Sequence, residues 1–185
     1  MRPLCVTFIV AGCWFALASG AQEATNAPKT EIENFEAQTN AVIIKGFGQV
    51  GSVTTDAGVI SVRCKESDDV SAGRKAYGLT VVFDGNRREH EREVVDDDEM
   101  DSLLNGLDYL GKITYDATPL PGFEATYTTR SGLRIVAYSS RRQSGIQKFL
   151  EFGGDPRISL TPDQLAQFQK LIEQAKKTLD SLKAR

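Results

Sequence analysis

Apolar and polar positions alternate with different periods along this chain, and each change of period marks an element. Leu4 to Ala18 is an apolar run without a charge. Gln22 to Asn40 carries Pro28 and little apolar content, so it reads as a flexible tether with helical character only near Glu31-Ile32-Glu33. At Ala41 the texture turns β-prone. Val42-Ile43-Ile44 opens a strand region that runs to Thr55, Asp56-Ala57-Gly58 supplies a turn, and Val59 to Glu66 alternates as a second strand. Ser67 to Arg74 is polar and loop-like. Tyr77 to Phe83 forms a third strand closed by Asp84-Gly85-Asn86, and Glu89 to Val95 a fourth, very polar one.

Beyond Val95 the period becomes helical. Met100, Leu103, Leu107 and Leu110, with Leu104 beside them, fall on one helix face. Asp96 stands at the cap position with Glu99 three residues on, approximating a capping box. Thr118-Pro119-Leu120-Pro121-Gly122 breaks this helix. Phe123 to Thr129, a turn at Arg130-Ser131-Gly132, and Leu133 to Ser139 make a second hairpin. Ile146 to Phe152 and Arg157 to Leu160 add two strands around Gly153-Gly154-Asp155-Pro156. Thr161-Pro162-Asp163-Gln164 is a fuller capping box, with proline at the first helical position. The helix it opens carries Leu165, Phe168, Ile172, Ala175, Leu179 and Leu182 on one stripe.

The two halves, residues 41–117 and 118–185, therefore share one element order: hairpin, two strands, capped helix. The turn glycines Gly58 and Gly132 lie 74 residues apart. Offsetting the helices by 65 places Asp96 on Thr161, Glu99 on Gln164, Met100 on Leu165, Leu103 on Phe168 and Leu107 on Ile172. The expected architecture is one α+β domain, residues 41–185, with antiparallel sheets in a repeated ββββα arrangement. Two amphipathic helices, about 97–112 and 162–183, pack on the sheets. This order resembles that of PUR-type repeats and of the plant Whirly proteins, a likeness that implies single-stranded nucleic-acid binding. The lysine-rich strand motif expected of Whirly proteins has no counterpart here. The stretch Asp96 to Lys112 also resembles a type of exported bacterial protein, a likeness that implies no activity.

The opening segment changes the picture of where the protein works. Arg2 supplies one positive charge, the apolar run follows, and Ser19-Gly20-Ala21 gives a small-residue exit, so a signal peptide over residues 1–21, cleaved after Ala21, is expected. The run is shorter than the roughly twenty residues that span a bilayer. Val10-Ala11-Gly12-Cys13 resembles a bacterial lipobox, which offers the alternative of an envelope lipoprotein acylated at Cys13. Either way the destination is the periplasm or the cell exterior.

Removing Arg2 with the leader takes the formal net charge from −3 to −4. Modest acidity argues against a nucleic-acid surface, which needs clustered Lys and Arg. Cys5 and Cys13 lie in the leader, so Cys64 stands alone in the exported chain and no internal disulfide forms there. Its alternation with Ile60 and Val62 predicts a buried, inert thiol.

Several motifs look chemical. Gly46-Phe47-Gly48-Gln49-Val50-Gly51 matches G-x-G-x-x-G, but a dinucleotide site needs a crossover helix after the last glycine. Only Ser52 to Ala57 intervenes before Gly58, so glycines in a bulged or bent strand are expected and no cofactor. His90, the single histidine, sits in Arg88-Glu89-His90-Glu91-Arg92-Glu93 and reads as an exposed edge-strand residue. Asp96-Asp97-Asp98-Glu99 with Asp101 runs into a helix instead of round a glycine turn, so helix capping accounts for it better than calcium. No G-x-S-x-G occurs, no catalytic or metal-ligating set is assigned, and carboxylate hydrolysis stays an alternative function. Arg130, Arg134, Arg141 and Arg142, with Tyr127 and Tyr138, form the most basic patch, a candidate surface for an anionic partner. The final stripe follows a 3, 4, 3, 4, 3 spacing, which fits either docking on the chain's own sheet or a homodimer through the C-terminal helix. The function these features favour is an exported, non-enzymatic binding or interaction module.

Overall fold

A computed structural model describes residues 28–86, 90–139, 145–153 and 156–184. Its elements are α1 (Glu31–Glu36), β1 (Ile43–Thr54), β2 (Gly58–Asp69), β3 (Arg74–Gly85), β4 (His90–Asp96), α2 (Met100–Lys112), β5 (Phe123–Thr128), β6 (Leu133–Ser139), β7 (Gln147–Phe152), β8 (Arg157–Leu160) and α3 (Pro162–Lys183). Strands β1-β2-β3-β4 form one antiparallel sheet and β5-β6-β7-β8 the other. The ββββα order occurs twice, as the periodicity predicts.

The helices are exchanged between the halves. Helix α2 follows β4 of the first sheet but lies on β5 and β6 of the second, while α3 follows β8 and lies along β1 and β2. Each helix makes most of its sheet contacts with the half it does not follow. Met100, Leu103, Leu107 and Leu110 are buried on α2, and Leu165, Phe168, Ile172 and Ala175 at the equivalent positions of α3. These stripes join Ile60, Val62, Leu79, Val81 and Phe83 of the first sheet and Leu133, Ile135, Leu150 and Phe152 of the second in one core. Phe83 and Phe152 stack with ring centroids 6.1 Å apart where the sheets meet. The stripe that could have served a homodimer is thus buried within the chain.

Two glycines set how closely the exchanged helices approach. A Cβ on Gly51 of β1 would come within 2.6 Å of a Leu171 methyl on α3. A Cβ on Gly106 of α2 would come within 2.6 Å of the Tyr127 ring on β5. Strand β1 has an irregular register between Gln49 and Gly51. The G-x-G-x-x-G run is therefore part of a bulged strand that returns directly as β2, without a crossover helix.

Two local expectations change. The helical character expected near Glu31-Ile32-Glu33 is α1, but the segment around it is not a free tether, because α1 docks on the first sheet. Thr30 caps it, accepting from the Glu33 N–H at 3.1 Å while the Glu33 carboxylate accepts from the Thr30 N–H at 3.2 Å. Ile32 is buried. The polar stretch after Glu66 continues β2 to Asp69 because Ser67 finds a partner on α1 and Asp69 finds its partners in the turn before β3. Ser67 donates to Glu36 at 2.5 Å, and the Asp69 carboxylate accepts from the Ser71 and Ala72 amides.

Candidate functional site

The acidic run before α2 and the turn after β5 meet at Arg130. Its guanidinium donates to Asp96 at 3.0 Å and to both carboxylate oxygens of Asp98, and its backbone N–H donates to Glu99 at 2.9 Å. The Asp98 hydrogen bond leads the influences that hold Arg130 firmly charged. Asp96, buried, does not cap its own helix. Its carboxylate accepts from the Glu31 N–H at 2.8 Å and the Ile32 N–H at 3.1 Å, closing the first turn of α1 instead. One carboxylate therefore joins α1, the β4–α2 junction and the β5–β6 turn. Asp97 pairs with Lys183 at 2.8 Å and Asp101 with Lys176 at 3.6 Å, which ties α2 to α3. Among the described residues no group of His, Cys, Asp and Glu side chains is arranged to hold a metal ion.

Arg134 is engaged elsewhere, on β6. Glu151, buried on β7, receives Arg134 at 2.7 Å and Arg157 at 2.5 Å, and Glu124 lies 3.7 Å from each guanidinium. Arg157 also sits over the Phe149 ring, 4.7 Å from its centroid. The sequence grouped Arg130 with Arg134, whereas the fold gives each its own carboxylates. Arg141 and Arg142 lie outside the described residues, as do the leader, Cys13 and the Ala21 cleavage position.

His90 is exposed at the start of edge strand β4 and pairs with Asp84 at 2.6 Å. The Cys64 thiol is buried against the Ala175 carbonyl, and burial pushes its pKa up, which suppresses thiolate chemistry.

The sequence did not single out the outer edge of β1. The two sheets present four edges, and three are defended against pairing with another chain. Strand β4 opens with His90-Glu91-Arg92-Glu93, β5 spans six residues, and β8 spans four after Pro156. Strand β1 spans twelve residues and carries one charge, Lys45. Among the described residues no strand pairs with its outer side. Ile44 and Phe47 are each 57% exposed. The phase of its backbone follows from one bond: the Val70 N–H donates to the Val42 carbonyl at 3.2 Å. Val42 and Val70 are a hydrogen-bonded pair, so Ile44, Gly46 and Gly48 also turn their backbone groups toward β2. Ile43, Lys45, Phe47 and Gln49 turn theirs outward. Above Gly46 and Gly48, bounded by Cys64, Thr178 and Leu182, lies a cleft of about 230 Å³. The signal was present in the sequence as a long strand with alternating glycines and a single charge.

On the opposite face of this sheet, Glu36 of α1 binds Lys45 and Lys65, each at 2.7 Å. Burial raises the Glu36 pKa, but hydrogen bonds from Lys45, Lys65 and Ser67 outweigh it, and the group stays below the ordinary glutamate range. A second cleft, about 540 Å³, separates α1 from β3 and the acids before α2, with Phe35 and Tyr77 among its walls.

No family model matches this chain. No curated protein and no solved structure matches it either. The likeness to PUR-type repeats and Whirly proteins therefore stays with the order of elements. No helix of the described residues is long and apolar enough to cross a membrane.

Proposed function

We propose that this chain is exported and works as a non-enzymatic interaction module, accepting an extended polypeptide strand along the β1 edge. The observation that supports this most is the outward backbone of Ile43, Lys45, Phe47 and Gln49 on a long strand without the charges that guard β4. Main-chain pairing supplies affinity in such a mode, and alternate side chains supply selectivity. Export rests on the leader, and the mature N-terminus tests it. Mass spectrometry should find Gln22 free, whereas an acylated Cys13 would make the module an envelope lipoprotein.

Strand acceptance is tested by amide hydrogen exchange in dilute protein. The outward amides of β1 should exchange quickly alone and slow when a soluble peptide of alternating valine and threonine is added. Slow exchange without peptide would mean that the edge is already closed and would defeat the reading.

A further inference from the structure

We infer that the strand which fits the β1 edge is β1 of a second copy, so that two chains join their first sheets into one antiparallel sheet of eight strands. This rests on the reading that β1 is an open edge and names its occupant.

The regular part of the ladder with β2 runs from Ile43 to Gln49, where the register shifts. The two-fold pairing that uses all of it centres on Gly46. Ile43 then faces Gln49 of the other copy, Lys45 faces Phe47, Ile44 faces Gly48, and Gly46 faces itself. The outward residues form the hydrogen-bonded pairs, as the backbone phase requires.

The side chains suit this register on both faces. Ile44 and Gly48 become a non-hydrogen-bonded pair, in which side chains approach most closely. An exposed isoleucine then meets a position without a side chain. A Cβ there would find nothing nearer than Cys64 at 4.0 Å, and the cleft beneath Thr178 and Leu182 stands open beside it. On the other face each Lys45 stands opposite an aromatic ring, and Phe47 already lies 5.9 Å from the Lys65 ammonium. The only charge in the segment never faces its own copy. A β4 edge paired with itself would set Glu91, Arg92 and Glu93 among one another, and β5 and β8 are too short to offer seven residues.

Sedimentation velocity across a concentration series, with hydrogen exchange on the same samples, tests the proposal. The expected result is a dimer in which the amides of Ile43, Lys45, Phe47 and Gln49 become protected as concentration rises. Phe47→Pro removes an outward donor without breaking a bond to β2, and should abolish the dimer. Ile44→Lys places a charge over the partner's Gly48 and should raise the dissociation constant about tenfold or more. A dimer whose β1 amides stay fast, or one that survives both substitutions, overturns the proposal. A monomer at every concentration with fast β1 amides also overturns it but leaves strand acceptance standing. Slow β1 amides in dilute monomer defeat both.

Discussion

The helices that close the two halves begin with similar sequences, Asp96-Asp97-Asp98-Glu99 and Thr161-Pro162-Asp163-Gln164, and are held in different ways. Thr161 and Gln164 complete a capping box on α3 itself, with bonds of 3.2 and 2.8 Å. The chain before α2 instead enters through a short 3-10 turn over Asp97–Glu99, and Asp96 gives its carboxylate to α1 and Arg130. A threonine hydroxyl has a short reach and satisfies the amides next to it. A carboxylate can accept several donors and pair with a cation, so it gains more by joining three elements than by capping one. The cap position is common to both halves, and its tertiary surroundings decide which helix it serves.

That contrast can be broken by substitution. Asp96→Ala should have the largest effect, a loss of roughly 2–3 kcal/mol in urea unfolding, because it strands the buried Ile32 amide and frees α1. The amides of Glu31 and Ile32 should lose exchange protection with it. A loss no greater than that of Thr161→Ala would mean that Asp96 is not what holds α1.

Gly106→Ala should come next, at about 1–2 kcal/mol, since the new Cβ meets the Tyr127 ring near its root and the strain exceeds the gain in helix propensity. Thr161→Ala should cost about 1 kcal/mol, the usual loss of an N-cap. Gly51→Ala meets only the end of the flexible Leu171 side chain and should shift stability by about 0.5 kcal/mol or less. Equal effects of the two glycine substitutions would show that the helix–sheet contacts of the two halves are alike after all.

The smallest predicted effects concern pH and have opposite signs. Burial raises the Glu93 pKa above the ordinary value near 4.5, against the pull of Ser131 and Lys29. Its contribution to stability is complete below that value and is lost as pH rises through the folded pKa. Glu93→Gln should therefore gain on the parent protein as pH rises above the ordinary glutamate value. The Glu36 pKa is lowered, so its contribution is present above the ordinary value and is lost as pH falls through the folded pKa. Glu36→Gln should flatten the acid limb. Urea midpoints measured from neutral pH down through the acid limb, below the ordinary glutamate value, check both signs.

Much of the fold was legible because burial imposes periods on sequence. The alternation from Val59 to Glu66 and the helical stripes of Met100 to Leu110 and Leu165 to Leu182 announced the elements and their inward faces. Cys64 was readable from its neighbours in a strand, and the glycine run from the lack of room for a crossover. Helix α1 was legible only as helical character near Glu31-Ile32-Glu33, and its docking on the first sheet was not legible. Its one buried apolar residue, Ile32, leaves no period, and the Asp96 carboxylate that holds its first turn lies 64 residues away. The β1 edge escaped for a related reason: strand order decides whether a strand is flanked on both sides, and periodicity carries no strand order.

The sequence by itself determined where strands and helices fall, which faces are apolar and that Thr161 caps the helix it precedes, since these depend on neighbours within a few positions. Only the tertiary structure decided that each helix crosses to the other half's sheet, that Asp96 turns to α1, that Arg130 and Arg134 answer to different carboxylates and that β1 is left at an edge. Those outcomes depend on groups distant in the chain competing for the same donors and the same apolar surface.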